Sequence, residues 1–169
     1  MSQFSPSARK LFAPECRFIQ QFSLGRFPPL DRLDYLDHAV MLVERERIRP
    51  ARPALDQIHD YLRGAPFASW AERARSFAAA ETLEPKDHKA YLRTLLYPAR
   101  FCYSWMTGLM GSNDDAVAYL KESDVVGLDI SSLEDALQCR QSAADPDALF
   151  PERKVLLSQI GACVALITT

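Results

Sequence analysis

The sequence predicts an all-α fold, a single helical-bundle-like domain of six or seven helices around a long, kinked central helix. Apolar residues recur at helical spacings of three and four through most of the chain. Helix start signals (Ser, Asp and Pro) alternate along it with glycine stop signals. The period-two alternation that is typical of strands persists nowhere.

The chain divides by composition into two regions. Residues 1–30 are predicted to be an N-terminal irregular segment with one short helix over 15–23, because prolines punctuate this stretch. Residues 31–169 are predicted to form the helical domain.

The first helices of this domain are marked by their boundaries. Asp31 is expected to cap a helix that continues to about Arg49 with one apolar face. Pro53 then opens a second helix, which stops at Gly64. An alanine-rich third helix is expected over residues 68–80.

The longest helix is expected to run from Lys86 to Met106, opened by Pro85. Pro98 lies inside it, removes one backbone hydrogen bond and is expected to kink the helix. Gly108 then predicts the helix end.

Two capping-box spacings predict the starts of the next helices. Ser112 with Asp115 starts one that reaches Leu120, and Ser131 with Glu134 starts one that reaches about Gln141. The final helix is predicted after Asp145 and Pro146, with Pro151 favouring a start nearer Phe150.

Composition narrows the function classes. A chain of 169 residues that is 48% apolar can bury a full core, and a net charge of −2 gives no general attraction to nucleic acid or anionic membranes. The four cysteines have no metal-ligand or redox spacing, so we expect buried free thiols, no metal site and no cofactor. The polar start and the short apolar runs predict neither a signal peptide nor a membrane span, which favours a bacterial cytoplasmic protein.

The stretch from Ala99 to Leu120 carries the order Arg, two residues, Tyr-Ser, two residues, Thr-Gly, followed by a polar turn and an alanine-rich helix. It resembles the C-terminal helical domain of aminoglycoside adenylyltransferases of the streptomycin/spectinomycin type. In that family the catalytic domain carries Gly-Ser and, about ten residues later, an Asp-x-Asp pair that holds Mg²⁺. Here Gly111-Ser112 opens a helix, and no such pair follows at that distance.

The resemblance therefore implies a non-catalytic ligand-binding or accessory domain. Its implied partner is a separate nucleotidyltransferase chain or a small cationic ligand, because acidic and aromatic residues grip the aminoglycoside in that family. The candidate ligand-binding residues lie on or beside the long helix and are Trp70, Asp87, His88, Arg100 and Tyr103. Arg100 occupies the motif position, and a buried arginine there needs a carboxylate partner.

Aromatic residues Tyr97, Phe101 and Trp105 recur four residues apart and form a stripe on the long helix. Such a stripe is typical of a core, while the functional alternative is a polar-aromatic groove with Trp70, Asp87 and His88 at its mouth.

Two further alternatives stay open. Arg32 with His38, or Arg52 with His59, fits the loose Arg-x(4–6)-His spacing that resembles HEPN-type helical ribonucleases, in which the histidine is a general acid or base. The other alternative is a structural homodimer without ligand chemistry.

Overall fold

The computed structural model describes residues 27–39, 50–123 and 125–169. Within these ranges the chain forms seven α-helices and no strand, which confirms the all-α prediction. The chain divides into two compact units, residues 1–52 and residues 53–169. Helix α1 (Pro29–His38) belongs to the first unit. The helices of the second unit are α2 (Leu55–Arg63), α3 (Ala65–Ala79), α4 (His88–Thr107), α5 (Asn113–Lys121), α6 (Ile130–Ser142) and α7 (Val155–Thr168).

Helix α1 is shorter than predicted. It ends at His38 because the next residue, Ala39, takes an extended backbone with φ −68° and ψ 126°. The prediction of one continuous helix from Asp31 to Arg49 is therefore wrong, and residues 40–49 lie outside the described ranges. Pro28, not Asp31, holds the N-cap position of α1. Asp31 lies in the first turn, where its carboxylate interacts favourably with the positive end of the helix dipole. The short helix predicted over 15–23 also lies outside the described residues.

Gly64 separates two consecutive helices. Its N–H donates to the carbonyl of Tyr61 at the end of α2, and its own carbonyl accepts from the N–H of Ala68 in the first turn of α3. Helix α3 therefore begins at Ala65, three residues before the predicted Ala68, with Pro66 in its first turn, where a proline is tolerated.

Helix α4 is the central helix of the second unit, because α2, α3, α5, α6 and α7 all pack against it. A short 3-10 helix, Pro85–Asp87, leads into it, so the α-helix begins two residues later than predicted. Pro98 lies inside α4, as predicted, and has no N–H to donate to the carbonyl of Thr94; its side chain is buried.

The carbonyl that Pro98 leaves without a helical partner is taken up by α3. The indole Nε1–H of Trp70 donates to the Thr94 carbonyl at 2.9 Å in a buried contact. Because Trp70 is only 5% exposed, we do not expect water to replace the indole as the donor to this carbonyl. The proline of α4 and the tryptophan of α3 therefore form one structural unit that joins the two helices.

The turn after α4 forms as predicted. Gly108 adopts the left-handed conformation with φ +68°, and its N–H donates to the Ser104 carbonyl. Ser112 and Asp115 form a reciprocal capping box, in which the Ser112 N–H donates to Asp115 at 3.0 Å and the Asp115 N–H donates to the Ser112 hydroxyl at 3.1 Å.

Helix α6 begins earlier than predicted, with Asp129 as its N-cap. The Asp129 carboxylate accepts from the Ser132 N–H at 3.1 Å, so the capping box predicted for Ser131 and Glu134 is wrong. A buried amide from α7 secures the same turn, since Gln159 donates to the Asp129 carbonyl at 2.9 Å.

The region after Asp145 forms a 3-10 helix, Pro146–Glu152, and not the first turns of an α-helix. Asp145 caps it as predicted, accepting from the Asp147 N–H at 3.0 Å. Because Pro151 lacks an N–H and restricts the preceding residue, the α-helical pattern starts only at Val155, later than the predicted Phe150.

The cysteines that the structure describes (Cys102, Cys139 and Cys163) are all buried and free, which confirms the expectation for these three. Among the described helices, none has the length and apolar character that crossing a bilayer requires.

Candidate functional site

Trp70 is a core residue in the second unit. Its ring stacks on Tyr97 with centroids 4.9 Å apart, and its N–H is occupied by the Thr94 carbonyl. The indole N–H that Trp70 would offer to a ligand is therefore already bonded inside the protein.

The aromatic stripe predicted on α4 is continuous. Tyr97, Phe101 and Trp105 follow one another with ring centroids 5.9 Å apart at each step. His59 of α2 stacks on Trp105 at 4.0 Å, and Phe67 of α3 packs on Phe101 at 5.5 Å. The stripe thus packs α4 against α2 and α3, with Phe101 in the core and Tyr97 and Trp105 half-buried. Trp70, which was expected at the mouth of a polar-aromatic groove, is buried.

Arg100 and Tyr103 lie toward the other end of α4, beside the turn that follows it. Arg100 Nη2 donates to the sulfur of Met110 at 3.4 Å, and within the described residues it has no carboxylate partner. The Tyr103 ring packs edge-on against Tyr119 of α5, with centroids 5.4 Å apart, and contacts Gly111. These two side chains support the turn and do not meet Asp87 or His88.

Asp87 lines an open cleft of about 570 Å³. One wall is a face of α3, since residues 69, 72, 73, 76, 77 and 80 follow helical spacing. The other wall is the segment that leads into α4. We call this cavity the α3 cleft; it is lined by Ser69, Glu72, Arg73, Ser76, Phe77, Ala80, Thr82, Leu83 and Asp87.

The charged groups of the α3 cleft are two carboxylates and one guanidinium. Within the described part of the chain, neither Glu72 nor Asp87 makes an ion pair, and Arg73 makes none either. Asp87 is the N-cap residue of α4, but its side chain makes no capping hydrogen bond. Both carboxylates are therefore available to a ligand.

His88, the next residue, contacts a different part of the molecule. Its Nδ1 lies 3.5 Å from Asp145 Oδ1, and its Nε2 lies 3.4 Å from Asp147 Oδ1. One ligand atom from each of these three residues can be chosen so that all lie within 4.8 Å of one another. Among the described residues this is the group of histidine, cysteine and acidic side chains that could hold a metal ion.

Tyr91 fixes the 3-10 helix Pro146–Glu152 against the first turn of α4. Its hydroxyl donates to the Leu149 carbonyl at 3.2 Å, and its ring packs edge-on against Phe150 at 5.5 Å. Burial raises the pKa of Tyr91 to about 12, although the nearby Arg153 opposes this shift. Because Tyr91 is one turn after His88, the same contact sets the distance between His88 and the two aspartates.

The arginine–histidine pairs of the ribonuclease alternative have other partners. His38 lies 3.4 Å from Asp34 one turn earlier in α1, and Arg52 is paired with Asp37. His59 donates to the Trp105 carbonyl at 2.8 Å, and its half-buried ring stacks on Trp105. Arg32 has a buried Nε without a hydrogen-bond partner among the described residues.

The sequence reasoning missed most of the lining of the α3 cleft. The available signal was the polar face of α3, where Ser69, Glu72, Arg73 and Ser76 are three or four residues apart. The sequence predicts Asp145 only as a helix cap and gives it no role in a site. No sequence signal joins Asp145 and Asp147 to His88, because more than fifty positions separate them along the chain.

No protein-family model, curated protein or solved structure matches this chain.

Proposed function

We propose that this chain is a non-catalytic helical binding domain that takes a small cationic ligand in the α3 cleft. The observation that carries the proposal is a cleft of about 570 Å³ with two carboxylates, Glu72 and Asp87, on opposite walls, neither paired with a cation of the described residues. This volume is within the usual range for small-molecule sites, about 300–1,000 Å³.

The lining favours a cation that also carries hydroxyl groups. Two carboxylates against the single guanidinium of Arg73 leave one negative charge in excess. The hydroxyl groups of Ser69 and Thr82 can exchange hydrogen bonds with a polyhydroxylated ligand, and the Phe77 ring offers an apolar surface. An aminoglycoside has this combination of amines, hydroxyls and sugar rings, which agrees with the ligand class implied by the resemblance of residues 99–120.

Chemistry at this cleft would have to come from elsewhere. A separate nucleotidyltransferase chain is the partner that the resemblance implies, and this domain would supply the substrate-side surface. The proposed role is thus to hold and orient a cationic acceptor.

The test is calorimetric titration of the full chain with streptomycin, spectinomycin and ATP–Mg²⁺, supported by the thermal midpoint. A ligand that binds only the folded state raises this midpoint by mass action. We expect an aminoglycoside to bind and Glu72→Gln or Asp87→Asn to weaken binding about tenfold each, since a charge-assisted hydrogen bond contributes about 1.5–3 kcal/mol.

Glu84→Gln is the matched control. Glu84 is exposed and precedes the 3-10 helix Pro85–Asp87, but it does not line the cleft. It removes the same charge at a short distance along the chain and should leave affinity nearly unchanged. Equal losses in all three variants would show only long-range attraction, and a response to ATP–Mg²⁺ alone would contradict the proposed ligand class.

A further inference from the structure

We propose that His88, Asp145 and Asp147 bind one divalent transition-metal ion. This site uses none of the residues that line the α3 cleft, so it does not rest on the function proposed above.

The spacing of the donor atoms suits such an ion. A tetrahedral ion with bonds of about 2.0–2.1 Å holds its ligand atoms about 3.3 Å apart. Asp145 Oδ1 lies 3.5 Å from Nδ1 of His88 and Asp147 Oδ1 lies 3.4 Å from Nε2, so each carboxylate is at about this spacing from a different ring nitrogen. One ion would take one of the two nitrogens, and with one donor atom per residue all three already lie within 4.8 Å of one another. Side-chain rotation that brings the more distant carboxylate toward the chosen nitrogen would complete the site.

The backbone positions of the donors are held in place by neighbouring contacts. Asp145 Oδ1 accepts from the Asp147 N–H at 3.0 Å, which orients one carboxylate. Tyr91 and its contacts with Leu149 and Phe150 hold the 3-10 helix that carries both aspartates against α4. A site held in this way loses little freedom when an ion binds.

The electrostatics favour a doubly charged cation. Within the described residues, neither Asp145 nor Asp147 has a lysine or arginine partner, and the two carboxylates carry two negative charges. Their side chains are 66% and 57% exposed, so an ion can reach them from solvent. His88 Nε2, by contrast, is buried and has no hydrogen-bond partner among the described residues.

The donor set selects the class of metal. An imidazole nitrogen is a poor ligand for Mg²⁺ and Ca²⁺, which prefer oxygen, and it suits Zn²⁺, Co²⁺ and related ions. Three protein ligands leave at least one coordination position to water or to a bound molecule. The ion would also join the start of α4 to the 3-10 helix Pro146–Glu152.

The experiment uses the full chain, freed of metal by a chelator, and measures Zn²⁺ affinity by competition with a chromogenic chelator. Co²⁺ is added in parallel because its visible spectrum reports the coordination number. We expect one ion per chain, a four- or five-coordinate Co²⁺ spectrum and a higher thermal midpoint with Zn²⁺.

The variants are Asp147→Asn, Asp145→Asn and His88→Gln, each expected to weaken Zn²⁺ binding at least about tenfold. Asparagine is itself a good N-cap, so Asp145→Asn keeps the fold of the 3-10 helix. Glu152→Gln removes a charge from the same segment outside the cluster and should leave affinity unchanged.

Two results would overturn the proposal. One is the absence of Zn²⁺ binding up to about 100 µM, which would leave the cluster as an ion pair between a histidine and two carboxylates. The other is stoichiometric binding that Asp147→Asn and His88→Gln leave intact, which would place the ion at other residues.

Discussion

Replacing Trp70 with phenylalanine should destabilise the protein, because it leaves the carbonyl of Thr94 without its hydrogen-bond donor. Pro98 cannot donate to this carbonyl, and Trp70 Nε1 supplies the bond at 2.9 Å in a buried position. Leaving a buried acceptor unsatisfied costs about 1–3 kcal/mol. The smaller ring adds about 1 kcal/mol for the space that it leaves between α3 and Tyr97. We therefore expect Trp70→Phe to lower the free energy of unfolding by about 2–4 kcal/mol, measured by urea denaturation followed by circular dichroism.

A double-mutant cycle with Pro98→Ala isolates the hydrogen bond from the loss of ring volume. The Pro98→Ala substitution restores a backbone N–H that can donate to the Thr94 carbonyl within α4, so in this background Trp70→Phe no longer orphans that carbonyl. The cost of Trp70→Phe should then fall by about 1 kcal/mol or more, and that difference is the coupling energy.

Trp105→Phe is the matched control for this cycle. It makes the same change of side chain on α4, where the ring stacks on His59 and Phe101. Its cost should be the same with proline or alanine at position 98. An equal cost of Trp70→Phe in the two backgrounds would contradict the role given to the Thr94 carbonyl, and so would the same coupling in Trp105→Phe.

Two further predictions concern the second unit. A Cβ at Gly111 would lie 2.8 Å from Cε1 of the Tyr103 ring, so Gly111→Ala should lower the free energy of unfolding by about 1–3 kcal/mol. Gly161 lies in the middle of α7, and a Cβ there would meet no atom within 4 Å. Gly161→Ala should therefore raise the free energy of unfolding by about 0.5–1 kcal/mol. Opposite signs are required in urea denaturation, and two changes of the same sign would contradict the contact. Burial raises the pKa of Tyr91 to about 12 in the folded state, because it disfavours the ionised phenolate. The free energy of unfolding should therefore be unaffected by this group below the unfolded pKa of 10 and should fall as the pH rises from 10 to 12. In Tyr91→Phe the fall of stability across this range should be shallower, and an unchanged slope would show that Tyr91 does not titrate in this way.

Much of the fold followed from local signals in the sequence. Gly64, Gly108 and the Ser112–Asp115 capping box act within a few residues, and the structure has each boundary where these residues predicted it. Such signals work because they satisfy backbone groups at helix ends without help from the rest of the fold.

The errors came where two local signals competed or where none was present. Asp129 and Ser131 could each cap α6, and the aspartate three residues before the Ser132 N–H forms the cap. The end of α1 at Ala39 has no glycine or proline to mark it, and the apolar spacing continues past it. Periodicity alone therefore overextended that helix.

The candidate sites could be predicted only in part. The sequence places Asp87 and His88 side by side at the start of the long helix, but their separation into two environments depends on tertiary packing. The face of α3 that lines the cleft with Asp87 was readable as a polar stripe once α3 was placed. The approach of Asp145 and Asp147 to His88 depends on how Tyr91 docks the 3-10 helix, which no pattern in the sequence encodes.

The proposed binding role is tested most directly by mapping amide chemical shifts in NMR spectra of the full chain while streptomycin is added. We expect saturable shifts confined to residues 69–87, which carry the two walls of the α3 cleft, with α5 unaffected. In Glu72→Gln the same shifts should saturate only at an about tenfold higher concentration of streptomycin. Shifts that centre on another surface, or none at a concentration of streptomycin that saturates typical small-molecule sites, would contradict it.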